Sequence, residues 1–381
     1  NIVDDAINIR GLKRMAADYA GKVPPPECAP STGKRIAVVG GGPGGLSAAY
    51  YLQLMGHQTT VFEMLPKLGG MLRYGIPNYR LPKDRLDEDI QAILETGVQV
   101  EFGKRIGKDI TIQSLRQEYD AVLISIGAST DKKLGIEGDQ AEGVISAVSF
   151  LRDVGAAKSP DLTGQEVAVI GGGNVSMDAV RTAKRLGAKK VSIVYRRRTA
   201  DMTALPAEIE GAVAEGIEVL TLKAPSRIET DENGHVSGIY VTPQMISKIK
   251  DGRASVCPTG EEDFLIPCQT LIVAIGQDIE SEHFAEAGVP VSRGKIMTER
   301  YGGFDNIPGV FAGGDCASGP ASVIKAIAAA KVVAANIDEY LGFHHIISCD
   351  VEIPEPRLSD REPCGRVELT EREACSRVCD F

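Results

Sequence analysis

The sequence predicts an α/β protein of two doubly wound domains, the second inserted into the first. Three observations carry this. A glycine-rich turn between an apolar strand and a helix occurs twice, at Gly40-Gly41-Gly42-Pro43-Gly44-Gly45 and at Gly171-Gly172-Gly173-Asn174-Val175-Ser176. In Rossmann-like dinucleotide-binding domains such glycines let the backbone turn tightly and approach a pyrophosphate at a helix N-terminus. An apolar strand running into glycine also occurs twice, Ala121 to Ile126 before Gly127 and Thr270 to Ile275 before Gly276, so the chain is expected to return to its first domain at Thr270. Finally, 42 glycines and no Trp in 381 residues suit a fold made of tight strand-to-helix turns.

Residues 1–33 read as a helix and a Pro-rich linker. Ile9, Leu12, Met15 and Ala16 recur at helical spacing over residues 1–20, and Gly21 with Pro24 to Pro26 ends the helix. The first domain, 34–145 and 270–345, opens on the strand Arg35 to Val39, the helix Gly44 to Met55 and the strand Thr59 to Glu63. Further strands come at Val98 to Phe102 and Ala121 to Ile126. In the second domain, 146–269, a turn at Leu162 to Gly164 precedes the strand Glu166 to Ile170. The stretch Ile217 to Val241 reads as an antiparallel excursion, with Asp231-Glu232-Asn233-Gly234 as its hairpin turn. Val310 to Ala312 is a short buried strand ending at Gly313-Gly314-Asp315, and Ala321 to Tyr340 is an Ala-rich helix. The tail, 346–381, mixes Pro, charges and four cysteines without periodicity.

Hydrophobic residues make up 43% and charged residues 25%, as in globular proteins, and no apolar run approaches the roughly 20 residues of a bilayer span. The cytoplasm is the expected location. A net charge of −10 argues against a nucleic-acid surface. The chain starts at Asn1 without Met and stops at Phe381, which reads as a segment of something longer.

The two turns differ in the residues that close their next strands. The strand after the first closes on Glu63; the strand after the second closes on Arg196, Arg197 and Arg198. At that position a carboxylate accepts from a ribose 2′-hydroxyl, whereas guanidinium groups favour a 2′-phosphate. One free ribose and one phosphorylated ribose point to FAD and NADP(H), and to hydride transfer between them. Asp315 is placed to bond a ribityl hydroxyl, and the helix from Ala321 to direct its positive end toward the flavin.

The segment Gly69-Gly70-Met71-Leu72-Arg73-Tyr74-Gly75-Ile76-Pro77, with Arg80-Leu81-Pro82 after it, resembles the signature of the glutamate synthase small-subunit family. That family includes the flavin half of dihydropyrimidine dehydrogenase and the NADPH-linked subunits of electron-bifurcating transhydrogenases. Tyr195-Arg196-Arg197, Met202 and Pro206 are similar to its NADPH segment, and Ala274-Ile275-Gly276-Gln277 with Gly314-Asp315-Cys316 to its second FAD segment. The resemblance covers 1–345. It implies that Gly40, Gly42, Pro43, Gly44, Gly45 and Leu46 hold the FAD pyrophosphate and that Glu63 takes the adenosine ribose. It places Gly70, Met71 and Arg80 at the ribityl and flavin end and Ile106 at the adenine, with Gly127, Gly314, Asp315, Ala321 and Val323 completing the site. For NADP(H) it implies Gly171, Gly173, Asn174, Val175 and Ser176 at the pyrophosphate, Arg196, Arg197 and Arg198 at the 2′-phosphate, and Ala274, Ile275 and Gly276 at the nicotinamide.

Disulfide-reducing flavoproteins carry a close Cys pair beside the flavin. Here ten residues separate Cys257 from Cys268, and Cys316 and Cys28 stand alone. In the resembled family electrons leave through iron–sulfur clusters, expected here in sequence outside this chain or in partner subunits. Cys349, Cys364, Cys375 and Cys379 fit no ferredoxin spacing; isolated thiols, one cluster or shared ligands remain open, and no metal site is assigned. The expected function is an FAD-dependent NADPH oxidoreductase module of a larger, electron-bifurcating or glutamate synthase, complex. A dinucleotide-holding module without turnover is the reading of another class. Hydride transfer needs alignment rather than an acid or base, so no catalytic residue is assigned.

Overall fold

The computed structural model describes residues 5–250, 253–299, 302–346 and 365–381. Helix α1 (Ile9–Tyr19) is shorter than the periodicity suggested, because Asn8 caps it by accepting the Gly11 N–H at 3.0 Å. The strand β1 (Arg35–Val39), helix α2 (Pro43–Leu54) and strand β2 (Gln58–Glu63) form a parallel unit with Val39 opposite Phe62. The short α3 (Met71–Tyr74), α4 (Lys83–Leu94), β3 (Gln99–Phe102), α5 (Ile112–Glu118) and β4 (Ala121–Ile124) complete the first sheet's leading half. Its central strands β1 and β4 are near-continuous apolar runs because both faces are covered. Ile36 and Val38 pack with Leu46 and Leu52 of α2, while Ala37 and Val39 pack with Ile112 and Phe284 on the other side.

The chain crosses to the second unit through β5 (Thr130–Asp131). There β6 (Val144–Ser146), α6 (Ala147–Gly155), β7 (Glu166–Ile170), α7 (Asn174–Arg185), β8 (Lys190–Tyr195), α8 (Pro206–Ala214) and β9 (Glu218–Thr221) build a second parallel sheet. The antiparallel excursion runs beyond Val241. It comprises β10 (Lys223–Thr230), β11 (Val236–Lys250), β12 (Arg253–Pro258) and β13 (Phe264–Pro267), with the first two joined at the expected Asp231 to Gly234 turn.

One expectation is corrected here. The strand β14 (Thr270–Val273) does not return to the first sheet; it lies between β6 and β7 in the second. Gln269 fixes this, its N–H donating to Glu166 O at 2.9 Å and its side-chain oxygen accepting the Glu166 N–H at 2.8 Å. A doubly covered strand reads alike in either sheet, so its sequence carried no address. The second sheet therefore spans Val144 to Val273, and the chain returns later, through β15 (Gln277–Asp278), which pairs antiparallel with β5. The two crossings lie side by side. After α9 (Glu282–Glu286) and the hairpin β16 (Val291–Ser292) with β17 (Lys295–Ile296), β18 (Val310–Ala312) joins β4 at the first sheet's edge. Then α10 (Asp315–Ser318) leads to α11 (Val323–Tyr340), which covers α2. In the tail a helical turn, α12 (Ala374–Arg377), sits near α7, where Arg185 Nε donates to Asp380 O at 2.9 Å. No helix of the described residues is long and apolar enough to cross a membrane.

Candidate dinucleotide-binding site

At the C-terminal ends of β1, β2 and β4 a cleft opens toward solvent. Such strand ends, at the point where a parallel sheet reverses order, are where α/β folds hold ligands. Gly40, Gly42, Pro43, Gly44, Glu63, Gly70, Met71, Ile106, Gly127, Gly314 and Asp315 all line it, so most residues expected at the first cofactor meet in one place. The second unit contributes Val148 and Arg152 from α6. Gly42 begins α2 without a side-chain cap, leaving first-turn N–H groups free for an anion. Gly70 has φ +51°, and a Cβ there would lie 2.7 Å from the Gly42 Cα, so glycine lets these two backbones meet.

Glu63 is buried, and its oxygens accept the Gly41 N–H at 2.8 Å and the Leu65 N–H at 2.7 Å. Burial pushes its carboxyl above the ordinary value, with those backbone donors opposing. Asp315 is likewise raised by burial while accepting from the Ala321 backbone. Five expected residues lie off the cleft wall. Gly45 and Leu46 face inward: a Cβ on Gly45 would fall 1.9 Å from Gly40 O, and Leu46 packs in the core. Ala321 acts through that backbone bond, and Val323 starts α11, whose Ala326 is the residue that faces the cleft. Arg80 is drawn away by charge: its Nη1 donates to Asp178 of α7 at 2.7 and 2.8 Å, and its Nε approaches Glu208 of α8 at 3.3 Å.

Lys104, Arg105, Glu280 and His283 also line the cleft and were missed. Arg105 pairs with Glu280, which lies 3.4 Å from His283 Nε2. Their only sequence signal was the basic pair just after the β3 strand.

The second glycine turn is framed differently. Gly173 begins α7, again without a side-chain cap. Asn174 Oδ1 accepts the Leu205 N–H at 3.0 Å, and the Thr203 N–H donates to Gly172 O at 2.9 Å, tying the entry to α8 onto the turn. Val175 packs on the second core, and Ser176 is buried with an unpartnered hydroxyl. Ala274 donates to Ile170 O at 2.8 Å, while Ile275, 43% exposed, and Gly276 lead on to β15.

Of the three arginines, Arg196 is exposed and has no side-chain partner among the described residues. Arg197 donates from Nε to Ala254 O at 2.9 Å, leaving the end of its guanidinium for other partners. Arg198 is committed elsewhere, donating to Asp201 at 2.8 and 3.0 Å. That contact, with the Ala254 N–H also donating to Asp201, holds the Asp201 carboxyl well below the usual carboxylate range. Arg198 is thus engaged within its own loop, which it braces, while Arg196 and the end of the Arg197 guanidinium are not.

Burial pushes the Cys316 thiol up to about 11 and that of Cys268 up to about 12, so neither forms a thiolate readily near neutral pH. Cys375 and Cys379 are exposed around α12, far along the chain from the cleft residues, whereas Cys349 and Cys364 lie outside the described residues.

Residues 34–330 match the pyridine nucleotide-disulphide oxidoreductase family. The chain is 38% identical to the NADP(+)-dependent formate dehydrogenase subunit beta of Moorella thermoacetica, over 89% of this chain and 52% of that protein. It is 32% identical to the glutamate synthase [NADPH] small chain of Escherichia coli, over 88% of this chain and 75% of that one. The chain spans about half the length of the first of these relatives. Its fold is that of Mycobacterium tuberculosis FprA in complex with NADPH, with a TM-score of 0.69 at 22% identity over 82% of this chain and 85% of that one. The chain therefore belongs to the pyridine nucleotide-disulphide oxidoreductase family and to that of the glutamate synthase small chain.

Proposed function

We propose that this chain is the NADPH-handling module of a larger cytoplasmic enzyme, holding FAD in the cleft and NADP(H) against α7, and exchanging electrons with iron–sulfur subunits or domains. The observation that carries it is the contrast between the two ribose positions. A buried carboxylate ends β2, while an exposed Arg196, with no side-chain partner among the described residues, and a half-free Arg197 come after β8. Two kinds of ribose are therefore served. The subunit names of the relatives support the larger assembly.

FAD held there would exchange hydride with NADP(H). Everything else rests on this chain's residues. The uncapped first turns of α2 and α7 receive pyrophosphates, and Glu63 accepts from ribose hydroxyls through lone pairs left beside its two backbone donors. Arg196 and Arg197 bind a 2′-phosphate. Gly70, Met71 and Tyr74 wall the flavin end against water, with Val148 of α6. The raised thiols of Cys316 and Cys268 argue against a disulfide outlet. The test is anaerobic mixing of FAD-loaded protein with NADPH or NADH: the flavin absorbance should bleach faster and at lower concentration with NADPH. No bleaching with either nucleotide would sink the reading.

A further inference from the structure

Besides the α6 residues that line the cleft, one loop, 75–82, between α3 and α4, reaches from the cleft to the second unit. Its near end belongs to the cleft wall, since Met71 and Tyr74 of α3 line it. Its far end reaches both helices that frame the second glycine turn. Arg80, 24% exposed, meets the nearly buried Asp178 of α7 and Glu208 of α8. The Tyr79 ring lies 4.9 Å from the Arg181 guanidinium and 4.1 Å from that of Arg185, both on α7. Arg181 in turn bonds Glu208 at 2.9 Å and Glu215 at 2.7 Å, and Arg185 bonds Glu215 at 2.7 Å. These are buried or half-buried charges, where a lost partner is costly.

The covalent and β-sheet link between the units is slight by comparison. It consists of two crossings, whose paired strands β5 and β15 are two residues each. Such a link permits one unit to turn on the other unless other contacts prevent it. Backbone also meets backbone beside the loop, where a Cβ on Gly155 of α6 would lie 3.0 Å from Arg73 O.

We infer that Tyr79 and Arg80 are positioning residues: by gripping α7 and α8 they fix the phosphate-binding end of the second unit against the flavin cleft, so that hydride transfer proceeds without rotation about the two crossings. This rests on the proposed function for its chemistry, though not for its geometry. Asp178 lies four residues after Asn174, one helical turn from the glycine turn, so a tether there sets where a bound nicotinamide nucleotide sits.

The test compares FAD-loaded wild type with Arg80→Ala and Arg80→Lys. In Arg80→Ala the limiting rate of flavin reduction at saturating NADPH should fall about tenfold or more, with FAD content and reduction by dithionite unchanged. Amide hydrogen exchange in β5, β15 and α6 should rise in the same variant. Arg80→Lys, keeping the charge but not the planar donors, should fall between. An unchanged rate with unchanged exchange would overturn the inference. So would release of FAD from a folded Arg80→Ala protein, which would make Arg80 a cofactor ligand. If Arg80→Ala fails to fold, Arg80→Lys and Glu208→Gln carry the same readouts, and neither moving rate nor exchange is the overturning result. Should wild-type flavin not accept electrons from NADPH at all, the proposed function fails, while the exchange comparison still decides whether the loop holds the two units together.

Discussion

Gly45 and Ser176 hold the same step of the two glycine turns, and their surroundings differ. A Cβ on Gly45 would sit 1.9 Å from Gly40 O, so α2 approaches the turn as closely as glycine allows. Ser176 carries a full side chain at that step of α7 and is completely buried. The third small residue of this motif sets how closely helix and strand pack. The two units have therefore solved the same turn at two spacings, a tight one beneath a walled cleft and a looser one beneath an open surface. The ribose readers differ in parallel, since Glu63 is buried between two backbone donors and Arg196 stands free in solvent.

The largest effect is expected where spacing is tightest. Gly45→Ala should cost about 3 kcal/mol or more, because the methyl meets a backbone carbonyl that cannot move without β1. The protein should lose FAD and unfold at clearly lower urea. By contrast Gly173→Ala, whose Cβ meets only Thr203 Oγ1 at 3.4 Å, should fold normally and weaken NADP(H) alone. Equal stability of the two variants would break the comparison.

Next in size is the ribose contrast. Replacing Arg196 and Arg197 together with Ala should lower kcat/KM for NADPH by roughly 1.5–3 kcal/mol for each charged hydrogen bond lost, and leave NADH nearly unchanged. Arg198→Ala should behave otherwise. Its guanidinium serves Asp201, so NADPH kinetics should stay within about threefold while the loop loses stability. A selective NADPH defect in Arg198→Ala would restore the trio of arginines.

Legibility ran along the same divide. The glycine turns, Glu63 and the strand ends gathered as expected, because each is a local pattern of apolar strand, tight turn and helix start. Arg80 did not, since a motif arginine looks the same whether it meets a cofactor or the carboxylate of a helix 98 residues away. Arg198 has an engagement of its own, and a nearer one. Its partner is Asp201, three residues on, and a run of arginines carries no sign of which of them a nearby carboxylate takes. The strand β14 was readable as a strand and unreadable as to sheet. Glu280 and His283 reach the cleft from a segment whose pattern shows nothing of it.

A smaller effect is expected from pH at the join between the units. Burial pushes the Asp178 carboxyl up to about 6, against the opposing pull of Arg80, with Glu208 raising it and Arg181 lowering it. A carboxyl whose folded value exceeds its unfolded value of about 3.9 contributes stability at low pH that is lost as pH rises through about 6. Asp178→Asn does not titrate, so its stability penalty relative to wild type should be greater at pH 4.5 than at pH 7. Urea unfolding at both values checks this, and a greater penalty at pH 7 would mean that the attraction of Arg80 exceeds the cost of burial.

The smallest effect is expected where the looser turn leaves slack. Ser176 has a buried hydroxyl with no hydrogen-bond partner among the described residues, and a Cβ on Gly171 would lie 2.6 Å from it. An unsatisfied buried hydroxyl costs more than the methyl it could be replaced by, so Ser176→Ala should be neutral or stabilising by up to about 1 kcal/mol. NADPH binding should change little, because the hydroxyl lies beneath the turn rather than on its exposed side. A marked loss of NADPH affinity with unchanged stability would show instead that the hydroxyl is held in reserve for the pyrophosphate. In that case the looser spacing of the second unit would be a binding feature, not merely a different way of packing a helix on a strand.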